Sequence, residues 1–121
     1  MSQSGAQAAA FFRDVTAHGK VWAVCDRDGY PAPMTSDGRR SMPFWSSRSR
    51  VAKIISTVPA YSEMKPEEIG LQDWVNKWLS DLQKDGHLVG INWSGPRAVG
   101  WDFEVGQVLA RLEAATGEEP K

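Results

Sequence analysis

The chain has 121 residues with 14 basic and 15 acidic side chains, for a net charge of −1. That length suits one domain able to bury roughly two-thirds of its unfolded surface, so no staple is needed. The charge balance removes a global pull toward nucleic acid or an anionic membrane, and the single cysteine, Cys25, excludes an internal disulfide framework.

Residues 1–5 and 116–121 are small or polar and are expected to be loose ends around a single α+β domain of residues 6–115. Ala8, Phe11, Phe12 and Val15 recur at helical spacing, predicting a helix over Ala6–His18 that Gly19 closes. Three short strands are expected next. Lys20–Asp26 is the first, its run Val21-Trp22-Ala23-Val24-Cys25 reading as a buried strand, and a turn at Asp26-Arg27-Asp28-Gly29 follows it. Tyr30–Thr35 is a second strand, weak because Pro31 and Pro33 lack backbone donors. After the turn at Ser36-Asp37-Gly38, Ser41–Trp45 is the third. Ser46 or Ser47 caps a second helix with Val51, Ile54, Ile55 and Val58 as its apolar stripe and Pro59 as its stop. Ile69 and Leu71 mark a short strand. Trp74, Val75, Trp78, Leu79 and Leu82 form one broad face of a helix over Gln72–Lys84, with Trp78 expected in the core. His87–Trp93 and Ala98–Phe103 read as a hairpin around Ser94-Gly95-Pro96-Arg97. A last helix covers Glu104–Ala115. The order α-βββ-α-β-α-ββ-α, with connections mostly too short for crossovers, predicts an α+β fold with a mainly antiparallel sheet and about four helices.

Chemistry-bearing groups do not converge in the sequence. His18 and His87 are far apart, and one cysteine cannot build a closed zinc site with them. No phosphate-binding glycine loop is present, and no cofactor is indicated. Cys25 sits in an apolar strand, where a thiol behaves as a small hydrophobe. Asp26 and Asp28 suit a turn, and Asp102 is placed to cap the last helix. The six tryptophans are the most unusual feature. Most should fill the core, and up to two should be partly exposed, since indoles are enriched at interfaces. Arg39, Arg40, Arg48, Arg50 and Lys53 fall in fifteen residues without an acid, around Phe44 and Trp45. The run reads as a solvated face or as an anion-binding corner.

Gly19-Lys20-Val21-Trp22, Asp28-Gly29, Met42-Pro43-Phe44-Trp45-Ser46, Trp78-Leu79 with Asp85-Gly86, and Val89-Gly90-Ile91-Asn92-Trp93 occur in that order. Together they resemble a family of small bacterial proteins known as domain of unknown function 2750, over about Phe11–Leu112. The family often has proline after the Trp-Leu pair, where this chain has Ser80. The resemblance implies a bacterial cytosolic protein with one α+β domain, and no activity or site residue. A cytoplasmic binding module that recognises another protein is therefore the expected function, with a homodimer possible and no role expected at membranes or on nucleic acid. A small-ligand or anion-binding domain is the alternative, and an enzyme a third reading. The candidate binding residues are Arg40, Trp45, Arg48, Arg50 and Trp93.

Overall fold

The computed structural model describes residues 3–116. Helix α1 is Gln3–His18, three residues longer at its start than the apolar spacing suggests. Gly19 follows at φ +71°, and its N–H closes on the Val15 carbonyl, as a left-handed cap requires. Met1, Ser2 and Gly117–Lys121, read above as part of the loose ends, lie outside the described residues.

Strand β1 is Lys20–Cys25 and strand β2 is Ser41–Phe44. The strand expected at Tyr30–Thr35 does not form. Only an isolated bridge between Met34 and Arg40 remains, with Ser41 donating to the Pro33 carbonyl. Two prolines leave that segment too few donors to hold a ladder. The turn after it does form, with Gly38 at φ +82° donating to Thr35.

Helix α2 is Arg48–Thr57, a 3-10 turn covers Pro59–Tyr61, and strand β3 is Lys65–Gly70. Helix α3 is continuous but not uniform: Leu71–Asp73, a π turn over Trp74–Trp78, then Leu79–Lys84. In the π turn the Leu79 N–H reaches the Trp74 carbonyl. The wider turn brings Leu79, five residues on, over the same face as Trp74. Trp74 and Leu79 are buried, while Trp78, expected in the core, is only half-buried and packs against it. The Trp74 indole N–H has no hydrogen-bond partner among the described residues and sits against the rings of Phe11 and Phe44. Strands β4, Leu88–Ser94, and β5, Val99–Phe103, form the expected hairpin, and helix α4 is Val105–Thr116.

β1 pairs antiparallel with β3, β4 pairs antiparallel with β5, and β2 pairs parallel with β4. The parallel pair is possible because α2, β3 and α3 all lie on the connection between its strands. The two sheets are stitched by an antiparallel bridge in which Trp22 and Trp45 exchange both backbone bonds at 2.8 Å. The strand order is therefore β3-β1-β2-β4-β5.

Side chains alternate across this surface into two cores. Val21, Ala23, Phe44, Val89 and Ile91 pack with α1, α3 and α4. Val24 and Trp45 pack with Val51, Ile54 and Val58 of α2 and with Tyr61. Trp93 should share the face of Val89 and Ile91. It joins the α2 core instead, because the register slips between Ile91 and Ser94 and Asn92 adopts φ +48°. The indole then lies on the backbone of Gly90 and Gly100, where a Cβ would stand 2.5 Å and 2.9 Å from its ring atoms.

Gly90→Ala therefore overpacks the Trp93 site and is expected to cost about 1–3 kcal/mol in urea unfolding. Gly106→Ala, in α4 with nothing within 4 Å of the added Cβ, should instead gain up to about 0.5–1 kcal/mol. Equal effects at the two sites would contradict the packing described.

Candidate binding cleft

The approach to α2 is built from short polar side chains. Ser47 is extended at φ −153° and its Oγ accepts the Arg50 N–H at 3.2 Å, which is an N-cap. Ser46 is buried. Its N–H donates to Asn92 Oδ1 at 3.0 Å, and its hydroxyl donates to Asp14 Oδ2 at 3.0 Å. The Asn92 amide nitrogen donates to the Gln7 carbonyl at 3.0 Å and to Ser46 Oγ at 3.2 Å. One buried side chain thus ties α1, β4 and the start of α2 together. Asparagine suits the post, since it tolerates the left-handed backbone that the bulge demands.

Above this network opens a cavity of about 610 Å³. Gln7 comes from α1, Arg50, Lys53, Ile54 and Thr57 from one face of α2, and Trp93 to Pro96 and Val99 from the hairpin. Arg50, Lys53 and Ile54 converge because positions three and four apart share a helix face. The Gln7 amide nitrogen donates to Ser94 Oγ at 3.1 Å, and Arg50 Nη1 reaches Gln7 Oε1 only at 3.4 Å. The Lys53 ammonium has no hydrogen bond or ion pair among the described residues, while its carbonyl accepts from the Ser56 and Thr57 hydroxyls. The floor is apolar: Trp93, Ile54 and Pro96, with Val99 at the rim, 60% exposed. Among the described residues the lining holds no carboxylate, imidazole or thiol. Such a cleft can hold an anion joined to an apolar body.

Of the sequence candidates, Arg50 and Trp93 meet in this cleft and the other three do not. Trp45 is fully buried, its indole N–H donating to the Trp93 carbonyl at 2.8 Å. Arg48 lies over the Trp22 ring, 6.0 Å from its centroid. Arg40 is exposed elsewhere and donates to the Ala32 carbonyl at 2.9 Å. The anion-binding corner of Trp45, Arg48 and Arg50 is thus not assembled: adjacent strand and helix residues point to different places. Lys53, Gln7 and Val99 were missed as site residues. The Arg50/Lys53/Ile54 spacing carried the signal for the first, but the contributions of α1 and the hairpin are long-range.

Two further cavities carry different linings. The second, about 370 Å³, contains Arg39, Asp102 and Glu104. Arg39 pairs with Glu104 and donates to the Gly86 carbonyl at 3.0 Å, and holds the Glu104 carboxyl below its usual range. Asp102 does not cap α4: it accepts from Ser41 Oγ at 2.5 Å, and Gln107 Oε1 takes the Glu104 N–H instead. The third, about 560 Å³, is a groove of Leu71, Val75, Leu109 and Leu112. Among the described residues no three of His, Cys, Asp and Glu are grouped to hold a metal ion. His18 is exposed at the end of α1, and His87 is half-buried.

Cys25 and Tyr30 share one acceptor. Glu67 Oε1 lies 3.4 Å from the Cys25 sulfur and 2.6 Å from the Tyr30 hydroxyl. Burial first, then the Glu67 carboxylate, push both the thiol and the phenol above their usual ranges.

These geometries define an α+β domain with helices on both faces of a twisted five-strand surface and a basic, apolar-floored cleft at its hairpin end. The chain belongs to the family described as "Protein of unknown function (DUF2750)", whose model matches residues 8–112. Comparison with curated proteins gives no match. Among solved structures, Anabaena Tic22 (protein transport) aligns with a TM-score of 0.38 and 15% identity over 75% of this chain and 46% of that one. This chain thus spans less than half the length of that structure. No helix among the described residues is long and apolar enough to cross a membrane.

Asn92→Ala removes three hydrogen bonds, two of them buried, and leaves a β-carbon at positive φ. It is expected to cost about 2–4 kcal/mol in chemical unfolding, whereas Asn92→Gly should recover about 1 kcal/mol of that by relieving the backbone. A second outcome concerns pH. Tyr30 releases its proton less readily folded than unfolded, so its contribution is complete below the ordinary value of 10.0 and fades as pH climbs past it. Wild type should lose melting temperature between about pH 10 and 11, and Tyr30→Phe should flatten that loss.

Proposed function

We propose that this chain is a non-catalytic binding module that recognises another protein, in the cytoplasm, through the cleft between α2 and the hairpin. The observation that carries the reading is the convergence of Arg50 and Lys53 on the Trp93, Ile54 and Val99 floor. Aromatic and arginine side chains are the residues most often found at the energetic centres of protein interfaces. The cleft reaches β5 at Val99, 60% exposed, and two residues further along that strand Trp101, which lines the second cavity, is 42% exposed. Exposed apolar side chains beside a cleft extend its reach beyond a small molecule, toward a polypeptide. A second reading, a small anionic ligand in the same place, is favoured by the volume of about 610 Å³, which falls in the range of small-molecule sites.

A photo-crosslinking residue at Val99 separates the two. In extract of its own cell it is expected to trap one protein, which a crosslinker at exposed Asp81 on α3 does not. Thr57→Trp, which fills the opening from its rim, should reduce that product by about tenfold or more. No product at Val99, or a product indifferent to Thr57→Trp, would reject the module reading.

A further inference from the structure

We infer that the group seated in the cleft is a carboxylate side chain, Glu or Asp, flanked by apolar residues on an extended segment of the partner. This rests on the binding-module reading and specifies its chemistry. The argument begins with an anomaly in α2. Ser47 is the N-cap, so Arg48 and Arg50 occupy the first and third helical positions. Both cations stand at the positive end of the helix dipole, and no acid shares that turn. Position 50 is also where a glutamate would complete a Ser-x-x-Glu capping box and satisfy a free backbone N–H. Local physics thus favours an acid at 50, and the chain carries arginine. Nothing inside the fold rewards the choice: the Arg50 guanidinium makes one long bond, 3.4 Å, to Gln7.

Elsewhere several cations are occupied, while among the described residues Arg27, Lys65, Lys77, Lys84 and Arg97 form neither an ion pair nor a ring contact. Lys20 pairs with Glu68, Arg39 with Glu104, and Arg13 with Asp14. Arg111 lies over the rings of Phe12 and Phe103, and Arg48 over Trp22. Of the cations without a strong partner, Arg50 and Lys53 are the two that line the apolar-floored cleft. Their partner is therefore an external anion, and one with apolar surface attached directly to it. A singly charged, planar carboxylate suits a guanidinium fork and one ammonium. A carboxylate borne on a polypeptide also brings apolar neighbours to lie against the floor, which a free phosphate does not. The exposed run from Val99 to Trp101 leads away from the cleft along β5, which is an edge strand. That gives the segment's flanking apolar side chains somewhere to lie.

The test uses the whole protein and a capped peptide with glutamate between valines, against its glutamine counterpart and against hexanoate. The glutamate peptide is expected to shift the Trp93 indole and Lys53 resonances and to bind at least about tenfold more tightly than the glutamine peptide, an advantage that shrinks with added salt. Arg50→Glu should abolish that preference while the melting temperature stays level or rises by about 1–4 °C, because the helix start is relieved. A fall in melting temperature would make Arg50 structural and overturn the inference. So would equal binding of the two peptides, shifts confined to another surface, or hexanoate binding without peptide binding. The two proposals fail separately. A Val99 crosslink that Thr57→Trp blocks but Arg50→Glu leaves intact sinks the carboxylate and keeps the module. Glutamate-peptide binding in the cleft with no protein trapped at Val99 does the reverse.

Discussion

The backbone at Asn92 is the constraint on which the hairpin end of this molecule depends. A strand that simply alternated would send Trp93 to the core beneath α1 and α4, where Val89 and Ile91 already fill the space. The bulge inverts that one residue, and the indole covers Gly90 and Gly100 on the α2 side. Three consequences follow from one positive φ. The second core gains its ceiling, Trp45 gains the Trp93 carbonyl as acceptor for its indole, and the cleft gains its floor. The strain of the left-handed residue is held by bonds to α1 and to the α2 cap, so each side stabilises the other.

Six indoles serve this scheme in different ways. Trp45 and Trp74 sit one in each core, fully buried, and anchor the layers. Trp22 and Trp45 also exchange the backbone bonds that join the two sheets, so the seam lies where two large side chains stand on the same face, against the α2 core. Trp78 closes the edge against Tyr30, with ring centres 4.7 Å apart. Trp101 stacks on Phe103 yet remains 42% exposed. Large rings let a short chain complete two small cores, because each contributes on the order of 200 Å² of buried surface.

Most of this architecture was legible in the sequence, and the exceptions have physical causes. Helical spacing and caps located α1, α2 and α4 because those signals are local: Ser47, Gly19 and the aliphatic stripe of α2 act on their own neighbours. The alternation of Val99, Trp101 and Phe103 and the Ser94–Arg97 turn placed the hairpin for the same reason. Tyr30–Thr35 misled because its apolar pattern suits a strand while its prolines deny the ladder. The π turn is invisible in a period count, since Trp74, Trp78 and Leu79 satisfy a regular helix on paper. A parallel β2–β4 pair depends on which strand is beside which, and that is settled by packing across forty residues. Of the site, Arg50 and Trp93 were found from charge and ring chemistry. Trp45 was misplaced because a strand residue's face depends on the sheet around it. Gln7 could not be seen at all, lying more than forty residues from either neighbour.

The placement of the unspent charge argues for use rather than accident. A solvated basic face would spread its cations where the helix dipole and nearby acids welcome them, as Lys20 does beside Glu68 on β3. Here two cations stand together at the edge of an apolar floor, one of them in the helical turn least favourable to it. Sequences that fold well usually agree with themselves at every level, and local disagreements without a structural return concentrate where a molecule meets something else. Arg50 is such a disagreement, of charge; the Asn92 bulge is one of backbone that the α2 core repays. They arise in different elements, yet both bear on the same opening, and the Gln7 residue links them: its carbonyl takes the Asn92 amide and its side chain faces Arg50. A cleft set by chance would need neither.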